Sequence, residues 1–340
     1  MKTRHIMLAL SLTTFLGVGC RRDSLKNVAG QKPEANKTRT AVWIDTDPSV
    51  APGGHEVDDG FALIQAFHSP ELEIRGVSVV YGNAPFDTAW PIGQEIVRRF
   101  GPKGLPIYAG AARAEDLGVE TAASRALAEA LRKEKLTILS LGPVTNIATM
   151  LKDHPELSNA IAEIIAVAGR RPGQRFLARP EQKIPFRDFN FELDAPGFQV
   201  LLDSPAPLTL APWEISSKVW LRDPELKRLA EGNEATRWLH PPAADWLMKW
   251  RKELGLDGFN PFDTLAIGYL TSPQLMRWEE LPAEIRVLPD DVKQTNEPGG
   301  EAEEKPYLLV GGEGKAKRKV RYCFDVAPEF KEDLMTRLLR

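Results

Sequence analysis

The sequence predicts a single α/β domain in which helices cover both faces of a mostly parallel central sheet. From residue 41 onward, stretches typical of strands alternate with stretches typical of helices, as expected when helical crossovers join parallel strands. The run Ile161–Ala168 is almost wholly apolar, which is typical of a strand buried on both faces. Apolar residues make up 43% of the 340 residues, enough for a sizeable core.

The elements follow one another along the chain without an internal repeat or a clear linker. Short apolar runs predict strands at Ala41–Asp45, Ile74–Val80, Leu136–Leu141, Ile161–Ala168, Pro207–Ala211 and Lys319–Phe324. Helices are predicted at Asp59–His68, Asp87–Phe100, Thr145–Leu151, Glu234–Leu254 and Pro328–Leu339. The charged segment Asp290–Lys305 is predicted to be a surface loop, and Cys323 a small core residue.

Charge and cysteine content exclude several classes of protein. The chain has 44 basic and 47 acidic residues, a net charge of -3, which argues against a nucleic-acid partner held by bulk charge. Two cysteines exclude a disulfide scaffold and a cysteine-rich zinc site, and five histidines leave little room for a multi-histidine metal site. The many carboxylates leave a cation site with oxygen ligands open.

The N-terminus has the features of a bacterial export signal. Residues 1–19 combine a basic start with a short apolar run and small residues, and the run is too short to span a membrane comfortably. The stretch Leu16–Cys20 resembles a lipobox, although its leucine stands one place too early, and it predicts lipidation of Cys20. Plain export with cleavage nearby, or a buried N-terminal helix, are the alternatives.

Residues 20–40 are polar and aperiodic, which predicts a flexible tether before the folded domain at 41–340. The protein is therefore expected to be an exported lipoprotein of the bacterial periplasm or cell envelope. Its membrane contact would be the lipid anchor at Cys20.

Polar residues follow three of the predicted strands at the point where each strand ends. Asp45 and Asp47 follow the first, Asn83 the second, and Thr145 a later one. In open α/β sheets, ligands bind beyond the carboxyl ends of the strands, so these side chains are expected to share one site.

Four carboxylates lie within fifteen residues, in Asp45-Thr46-Asp47-Pro48 and Val57-Asp58-Asp59-Gly60. Packed together they repel one another, and a hard cation such as Ca²⁺ removes that conflict. A carboxylate beside such a cation can deprotonate a water for attack. The alternative is that Asp58 or Asp59 only caps the following helix.

The order of these motifs resembles the inosine–uridine preferring nucleoside hydrolase family. After Asp-Thr-Asp-Pro and Asp-Asp, the resemblance continues through Tyr81-Gly82-Asn83, Leu141 to Ala148, Asp188-Phe189-Asn190 with Asp194, Pro261 to Ala266, and Phe324-Asp325-Val326. It covers nearly the whole chain after residue 40 and marks this chain as a divergent, exported bacterial member. The resemblance implies the Rossmann-like nucleoside hydrolase fold.

The resemblance implies a Ca²⁺-dependent enzyme that releases ribose and base from a ribonucleoside, with no organic cofactor. Carried over by motif, the metal ligands are Asp47, Asp59, the backbone carbonyl of Thr145, and Asp263. Asp58 is then the general base that activates water. A homo-oligomer is usual in the family.

Four further residues take roles from the same resemblance. Asn83, Asp188 and Asn190 are expected to hydrogen-bond the sugar hydroxyls, although the family often has glutamate at the position of Asp188. Asp45 is expected to hold the metal ligands in place.

Two departures from the family pattern concern the aglycone, the part of the substrate that leaves. The segment Ser49–Val57 is longer than usual by about seven residues, so it either bulges out harmlessly or brings His55 or Glu56 to the substrate. Many members have a histidine before the last metal-binding aspartate, where it protonates the leaving base, but here that residue is Phe262. Leaving-group help could come from His55 or His240.

Stacking of the base on Trp213, Trp246 or Trp250 is another form of leaving-group help, although tryptophans at helical spacing are more often core residues. Gln174 is a candidate for the ribose-contacting residue after the strand at 161–168. The neighbouring Arg170, Arg171 and Arg175 would accept an anionic group if their loop lines the site, and otherwise form a solvated loop.

The sequence thus predicts an N-glycosyl hydrolase acting on a nucleoside or another N-riboside. Two alternatives remain open. One is a hydrolase of another N-glycoside or ribosyl conjugate, favoured by Phe262 and the longer segment. The other is an envelope protein that binds a sugar or nucleoside without turnover.

Overall fold

Nine strands form one mixed sheet in the computed structural model, which describes residues 39–293, 303–312 and 316–340. The strands are β1 Thr40–Thr46, β2 Leu72–Val79, β3 Ile107–Ala109, β4 Leu136–Ser140, β5 Ile161–Ala166, β6 Leu208–Leu210, β7 Met276–Pro289, β8 Glu304–Val310 and β9 Lys319–Val326. Their order across the sheet is β3-β2-β1-β4-β5-β6-β9-β7-β8. The pairs from β3 to β9 are parallel, whereas β7 runs antiparallel to both β9 and β8.

Helices cover both faces of this sheet and enclose two hydrophobic cores. They are α1 Asp58–Phe67, α2 Phe86–Phe100, α3 Ala122–Lys133, α4 Thr145–Asp153, α5 Phe189–Leu193, α6 Ala195–Asp203, α7 Trp213–Ser216, α8 Asp223–Glu231, α9 Glu234–Lys249, α10 Thr264–Thr271 and α11 Phe330–Leu338. One core includes residues of α1, α9, α10 and α11, and the other includes residues of α3, α4 and α6. The predicted α/β class with a mostly parallel sheet is confirmed.

Every strand and helix predicted from the sequence is present, with ends that differ by a few residues. The predicted helix Glu234–Leu254 changes character near its end, because α9 passes into a π-helical turn at Trp250–Leu254. That turn stops at Gly255, whose φ of 66° lies in the left-handed region that glycine tolerates. Cys323 is fully buried in β9, as expected.

The prediction of a surface loop at Asp290–Lys305 is wrong at its C-terminal end, whereas residues 290–293 do leave β7 as irregular structure. Lys305 belongs to β8 and is only 7% exposed. Its ammonium forms ion pairs with Glu192, at 2.7 Å, and Asp291, at 2.8 Å. Charge alone suggested solvent exposure, but burial in this case is matched by opposite charge. Residues 294–302 lie outside the described part of the chain.

Several predictions also concern residues that the structure does not describe. The export signal at 1–19, Cys20 and the tether up to residue 38 belong to this group. Within the described ranges, no helix combines the length and the apolar character needed to cross a bilayer.

Arg337 joins the C-terminal helix to the rest of the domain. It is 5% exposed, and its guanidinium pairs with Glu71 and Asp333 at 3.0 Å and donates to the Thr271 carbonyl at 3.1 Å. Arg228 offers a comparison, because its pair with Glu332 is largely exposed.

We expect Arg337→Met to lower the free energy of unfolding by about 3 kcal/mol, since it leaves buried acceptors unpaired. Arg228→Met should cost at most about 1 kcal/mol, because exposed pairs are screened by water. Urea unfolding of both variants tests this, and equal losses would contradict the proposed role of burial.

Candidate active site

The site lies at the carboxyl edge of the parallel strands, where the loops after β1, β2, β4 and β5 meet. Asp47 follows β1, Asn83 follows β2, Thr145 begins α4 after β4, and Asn190 lies in α5 after β5. Hydrogen bonds link these loops directly, since the Asn190 amide donates to the carbonyl of Leu141 at 2.6 Å. The predicted convergence at one edge is therefore observed.

Three buried carboxylates form the centre of the site. Side-chain oxygens of Asp58, Asp59 and Asp263 lie within 4.8 Å of one another. Asp47 adjoins them, because its backbone N–H donates to Asp59 Oδ1 at 3.1 Å. The additional residues at 49–57 therefore leave the two halves of the acidic motif together.

Asn83 connects two of these carboxylates. Its backbone N–H donates to Asp47 Oδ2 at 2.7 Å, and its side-chain amide donates to Asp59 Oδ2 at 3.3 Å. The Thr46 hydroxyl also donates to Asp59. These donors fix the directions of the carboxylates but leave Asp47 Oδ1 and Asp263 Oδ2 buried without a hydrogen-bond partner among the described residues.

Two glycines allow the backbone to approach Asp47 closely. A Cβ on Gly82 would lie 1.9 Å from Asp47 Oδ2, and one on Gly142 would lie 2.5 Å from Asp47 Oδ1. Any larger residue at either position would displace the carboxylate. The backbone thus encloses Asp47 on two sides.

The electrostatics of the cluster favour a cation. Burial raises the pKa of Asp47, Asp58 and Asp263 well above the usual range, and the neighbouring carboxylates raise it further. Burial also raises the pKa of Asp59, although its hydrogen bonds oppose the effect. Unpartnered carboxylate oxygens in such a setting are the ligands that hard cations prefer, so these residues fit a metal ion.

Asp45 connects the strand that precedes the cluster to β2 and α4 through hydrogen bonds. Its Oδ1 accepts hydrogen bonds from the Ser78 hydroxyl and, at 2.9 Å, from the Asn146 amide. Ser78 in turn accepts from the indole of Trp43 at 2.8 Å. Burial raises the pKa of Asp45 to about 7. The residue lies where a supporting role was expected.

Thr145 is buried at the first turn of α4. Its hydroxyl donates to Asp194 Oδ2 at 2.7 Å, and Asp194 Oδ1 accepts from Gly197 N–H at 3.0 Å. The helix N-cap is Val144 rather than Thr145 or Asn146. These contacts fix the backbone of Thr145, whose carbonyl is the predicted metal ligand.

Asp188 and Asn190 lie on the cavity wall, near the carboxylates. Asp188 Oδ2 accepts from Gly169 N–H at 2.9 Å, and burial raises the pKa of Asp188 to about 6. Asn190 donates to the carbonyls of Leu141 and Val167, so the side-chain group that it offers to a ligand is its carbonyl oxygen.

A cavity of about 270 Å³ opens onto the carboxylates. Asp58, Asp263, Asn83, Asp188 and Asn190 lie in its wall. The rest of the wall includes seven aromatic side chains: Phe176, Phe186, Phe189, Trp213, Trp246, Trp250 and Phe262. Apart from Phe189, neighbouring ring centroids among them are spaced by 5.1 to 6.3 Å, so these six rings form a continuous apolar surface next to the acidic cluster.

The segment Ser49–Val57 bulges outward and returns to the cavity. His55 is exposed and lies outside the cavity wall, whereas Glu56 lies in it. Burial and the charge of Asp59 raise the pKa of Glu56 to about 7. Of the two candidate residues in this segment, the structure brings Glu56 to the cavity.

The arginine-rich loop faces away from the cavity. The side chain of Gln174 accepts from Arg171 N–H at 3.0 Å, and neither residue lies in the cavity wall. Arg170 pairs with Asp291 at 2.8 Å, and Arg171 with Glu214 at 2.9 Å. The cavity therefore receives no free cation from these two arginines, and His240 also lies outside its wall.

Comparison with known proteins identifies the family. A sequence model described as "Inosine-uridine preferring nucleoside hydrolase" matches residues 42–326. The chain belongs to this family. Its members are metal-dependent enzymes that cleave N-glycosidic bonds.

Individual relatives are distant. A pyrimidine-specific ribonucleoside hydrolase of Photobacterium profundum is 25% identical over 263 residues, covering 69% of this chain and 80% of that protein. A plant nucleoside hydrolase structure superposes with a TM-score of 0.70 at 18% identity, covering 88% of this chain and 98% of the other. A purine-preferring ribonucleoside hydrolase from Gardnerella vaginalis gives a TM-score of 0.68 at 20% identity, with the same coverage. The two structures share the nucleoside hydrolase fold.

Sequence reasoning missed several residues of the cavity wall. Phe176 and Phe186 were not predicted, and they meet as an isolated antiparallel bridge outside the regular strands. Lys249 and Glu253 were also missed, although a signal for them exists. Together with Trp246 and Trp250 they recur at the i, i+3, i+4, i+7 spacing of one helical face.

The pKa shifts predict how the cation-free protein responds to pH. Asp45 and Glu56 have folded-state pKa values of about 7, above those of unfolded carboxyls near 4, so they stabilise the fold at low pH. That stability is lost as pH rises through about 7. With chelator, we expect the melting temperature to fall by more than about 5 °C between pH 5 and pH 8, and Ca²⁺ to reverse the loss.

Asp263→Asn serves as the matched variant. Removing one charge from the cluster should raise the melting temperature in chelator at pH 8 and abolish the gain from Ca²⁺. A cation-free protein that grows more stable from pH 5 to pH 8 would contradict this account of the cluster.

Proposed function

We propose that this protein hydrolyses the N-glycosidic bond of a ribonucleoside, using Ca²⁺, and releases ribose and the free base. The observation that carries this proposal is the cavity itself. Buried carboxylates lie at one end and an aromatic wall at the other, in a chain of the nucleoside hydrolase family. The polar end suits a ribose and the aromatic end suits a flat base.

Asp58 is the proposed general base. It lies in the cavity wall, and its carboxylate accepts the proton of the water that attacks the anomeric carbon. Asp47, Asp59, Asp263 and the Thr145 carbonyl would hold the Ca²⁺. When bound, this ion lowers the pKa of a water and neutralises the carboxylates.

The sugar contacts follow from the remaining polar wall. Asn83, Asp188 and Asn190 lie in the cavity wall, which supports the proposal that they bind the ribose hydroxyls, Asn190 through its carbonyl oxygen. A site built to bind hydroxyls rejects analogues that lack them, because its buried polar groups would stay unpaired. The carboxylates also favour the positive charge that develops on the sugar as the bond to the base breaks.

A second candidate function is hydrolysis of another N-riboside. Phe262 is the observation that favours it, because its ring replaces a proton donor and packs against Trp213 at 5.6 Å. A substrate whose aglycone leaves without protonation suits such a wall. Binding without turnover is the remaining alternative, and the same assay tests it.

Asp58→Asn should lower the rate of ribose release by about 10²–10⁴-fold, since it removes the general base. Asp153→Asn, an exposed aspartate at the end of α4, should leave the rate unchanged. The assay measures free ribose from a panel of ribonucleosides and nicotinamide riboside, with Ca²⁺ or chelator. If ribose release persists in chelator or in Asp58→Asn, the proposed mechanism is wrong.

We also propose that the mature protein is a lipoprotein of the bacterial envelope. The export signal at 1–19 and the lipobox-like stretch before Cys20 support this. Replacing Cys20 with serine should move the protein from the membrane fraction to the soluble fraction after cell lysis, without changing its specific activity. Equal membrane association of both forms would exclude the anchor.

A further inference from the structure

Lys249 is a basic side chain in the wall of the cavity, next to the aromatic rings. It belongs to the cavity-facing stripe, which comprises Trp246, Lys249, Trp250 and Glu253. The stripe spans the last turn of α9 and the π-helical turn that follows, a geometry often found at functional sites. Lys249 is thus placed by the same helix that supplies two rings of the aromatic wall.

The Lys249 ammonium has no carboxylate within 4.0 Å in the part of the chain that the structure describes. It lies 5.1 Å from the ring centroid of Trp246, which holds it over an aromatic face. The only other cationic side chain in the cavity wall is Arg187, again within the described ranges, and Arg187 is paired with Glu192 at 2.5 Å. Lys249 therefore keeps its N–H donors available.

The longer segment at 49–57 packs against this part of α9. The Gly53 N–H donates to Asp245 Oδ2 at 2.9 Å, and a Cβ on Gly54 would lie 3.3 Å from Lys249 Cδ. The longer segment and Lys249 thus meet at the rim of the cavity.

The hydroxyl and side-chain amide groups of the described wall residues are engaged elsewhere, since the Asn83 amide donates to Asp59. The Ser216 hydroxyl donates to the Pro212 carbonyl at 3.1 Å, and the Asn190 amide donates to backbone carbonyls. A guanidinium such as that of Arg187 is not deprotonated in proteins. Glu56 and Glu253 are the remaining rivals, because their carboxyls also lie in the wall.

We propose that Lys249 is the catalytic acid that protonates the leaving base in this protein, a role that rests on the proposed function. As the bond from the anomeric carbon to the base nitrogen breaks, its electron pair passes to the base. The base takes a proton from the Lys249 ammonium and leaves neutral. The attacking water gives its proton to Asp58, and proton exchange with solvent restores both groups, so the net reaction consumes one water.

The test compares two substrates that share the ribose and differ in whether the leaving group needs this proton. The base of inosine or uridine leaves poorly as an anion, whereas the para-nitrophenolate of a para-nitrophenyl riboside leaves without protonation. Lys249→Met keeps about the same side-chain length and its packing over Trp246, but it removes the ammonium group that donates the proton. We expect it to lower kcat for the nucleoside by about 100-fold or more, and to change kcat for the nitrophenyl riboside by less than about threefold.

Matched variants separate this role from others. Lys252→Met, at an exposed position outside the cavity wall, should leave kcat for both substrates unchanged. Lys249→Arg keeps the charge but does not release a proton, so it should stay slow on the nucleoside. Equal losses on both substrates would show a structural role, and a full rate in Lys249→Arg would show that charge alone suffices; either result overturns the proposal.

Two further outcomes are informative. If Glu56→Gln or Glu253→Gln, and not Lys249→Met, slows only the hydrolysis of the nucleoside, the acid is that glutamate and the proposal is wrong. If the wild-type protein cleaves neither substrate while Ca²⁺ still raises its melting temperature, the proposed function itself fails, a result distinct from the loss of substrate selectivity in a variant.

Discussion

The structure depends on keeping several carboxylates together in a buried space where each opposes the ionisation of the others. Asp47, Asp58, Asp59 and Asp263 share this space, and their pKa values are raised because water is excluded and like charges are near. A cluster of this kind lowers the stability of the cation-free fold. The surrounding structure holds it in place through donors such as Asn83 and through the close approach of Gly82 and Gly142.

The acidic end of the cavity could be predicted well from the sequence, because its residues belong to contiguous motifs at strand ends. Asp47, Asp59 and Asn83 each lie within a few residues of a strand or a helix start, and the sheet brings such positions to one edge. The aromatic end was harder to predict. Phe176 and Phe186 come from the loop between β5 and α5, and Phe262 from the loop before α10. All three rings meet at Trp213, which depends on long-range packing that no local pattern encodes.

The fold shows the same contrast between elements that a local sequence pattern predicts and elements that depend on distant contacts. Buried parallel strands such as Ile161–Ala166 are predicted by their nearly continuous apolar sequence. The antiparallel pair β7 and β8 was not predicted, since β7 carries prolines and charges, and its burial does not alternate regularly. The buried ion pairs of Lys305 explain why a charged stretch there is not simply a solvated loop. The electrostatic partners that decide such cases are distant in sequence.

The contact between the longer segment at 49–57 and α9 has a consequence for how such enzymes diversify. The hydrogen bond from Gly53 to Asp245 joins positions 192 residues apart, yet neither residue belongs to the acidic cluster. Changes in length or composition at this contact would act on the aromatic side of the wall, around the proposed aglycone site, without touching the hydrogen bonds that hold the carboxylates. Selection for a new aglycone can therefore act on one end of the cavity without rebuilding the end that breaks the bond.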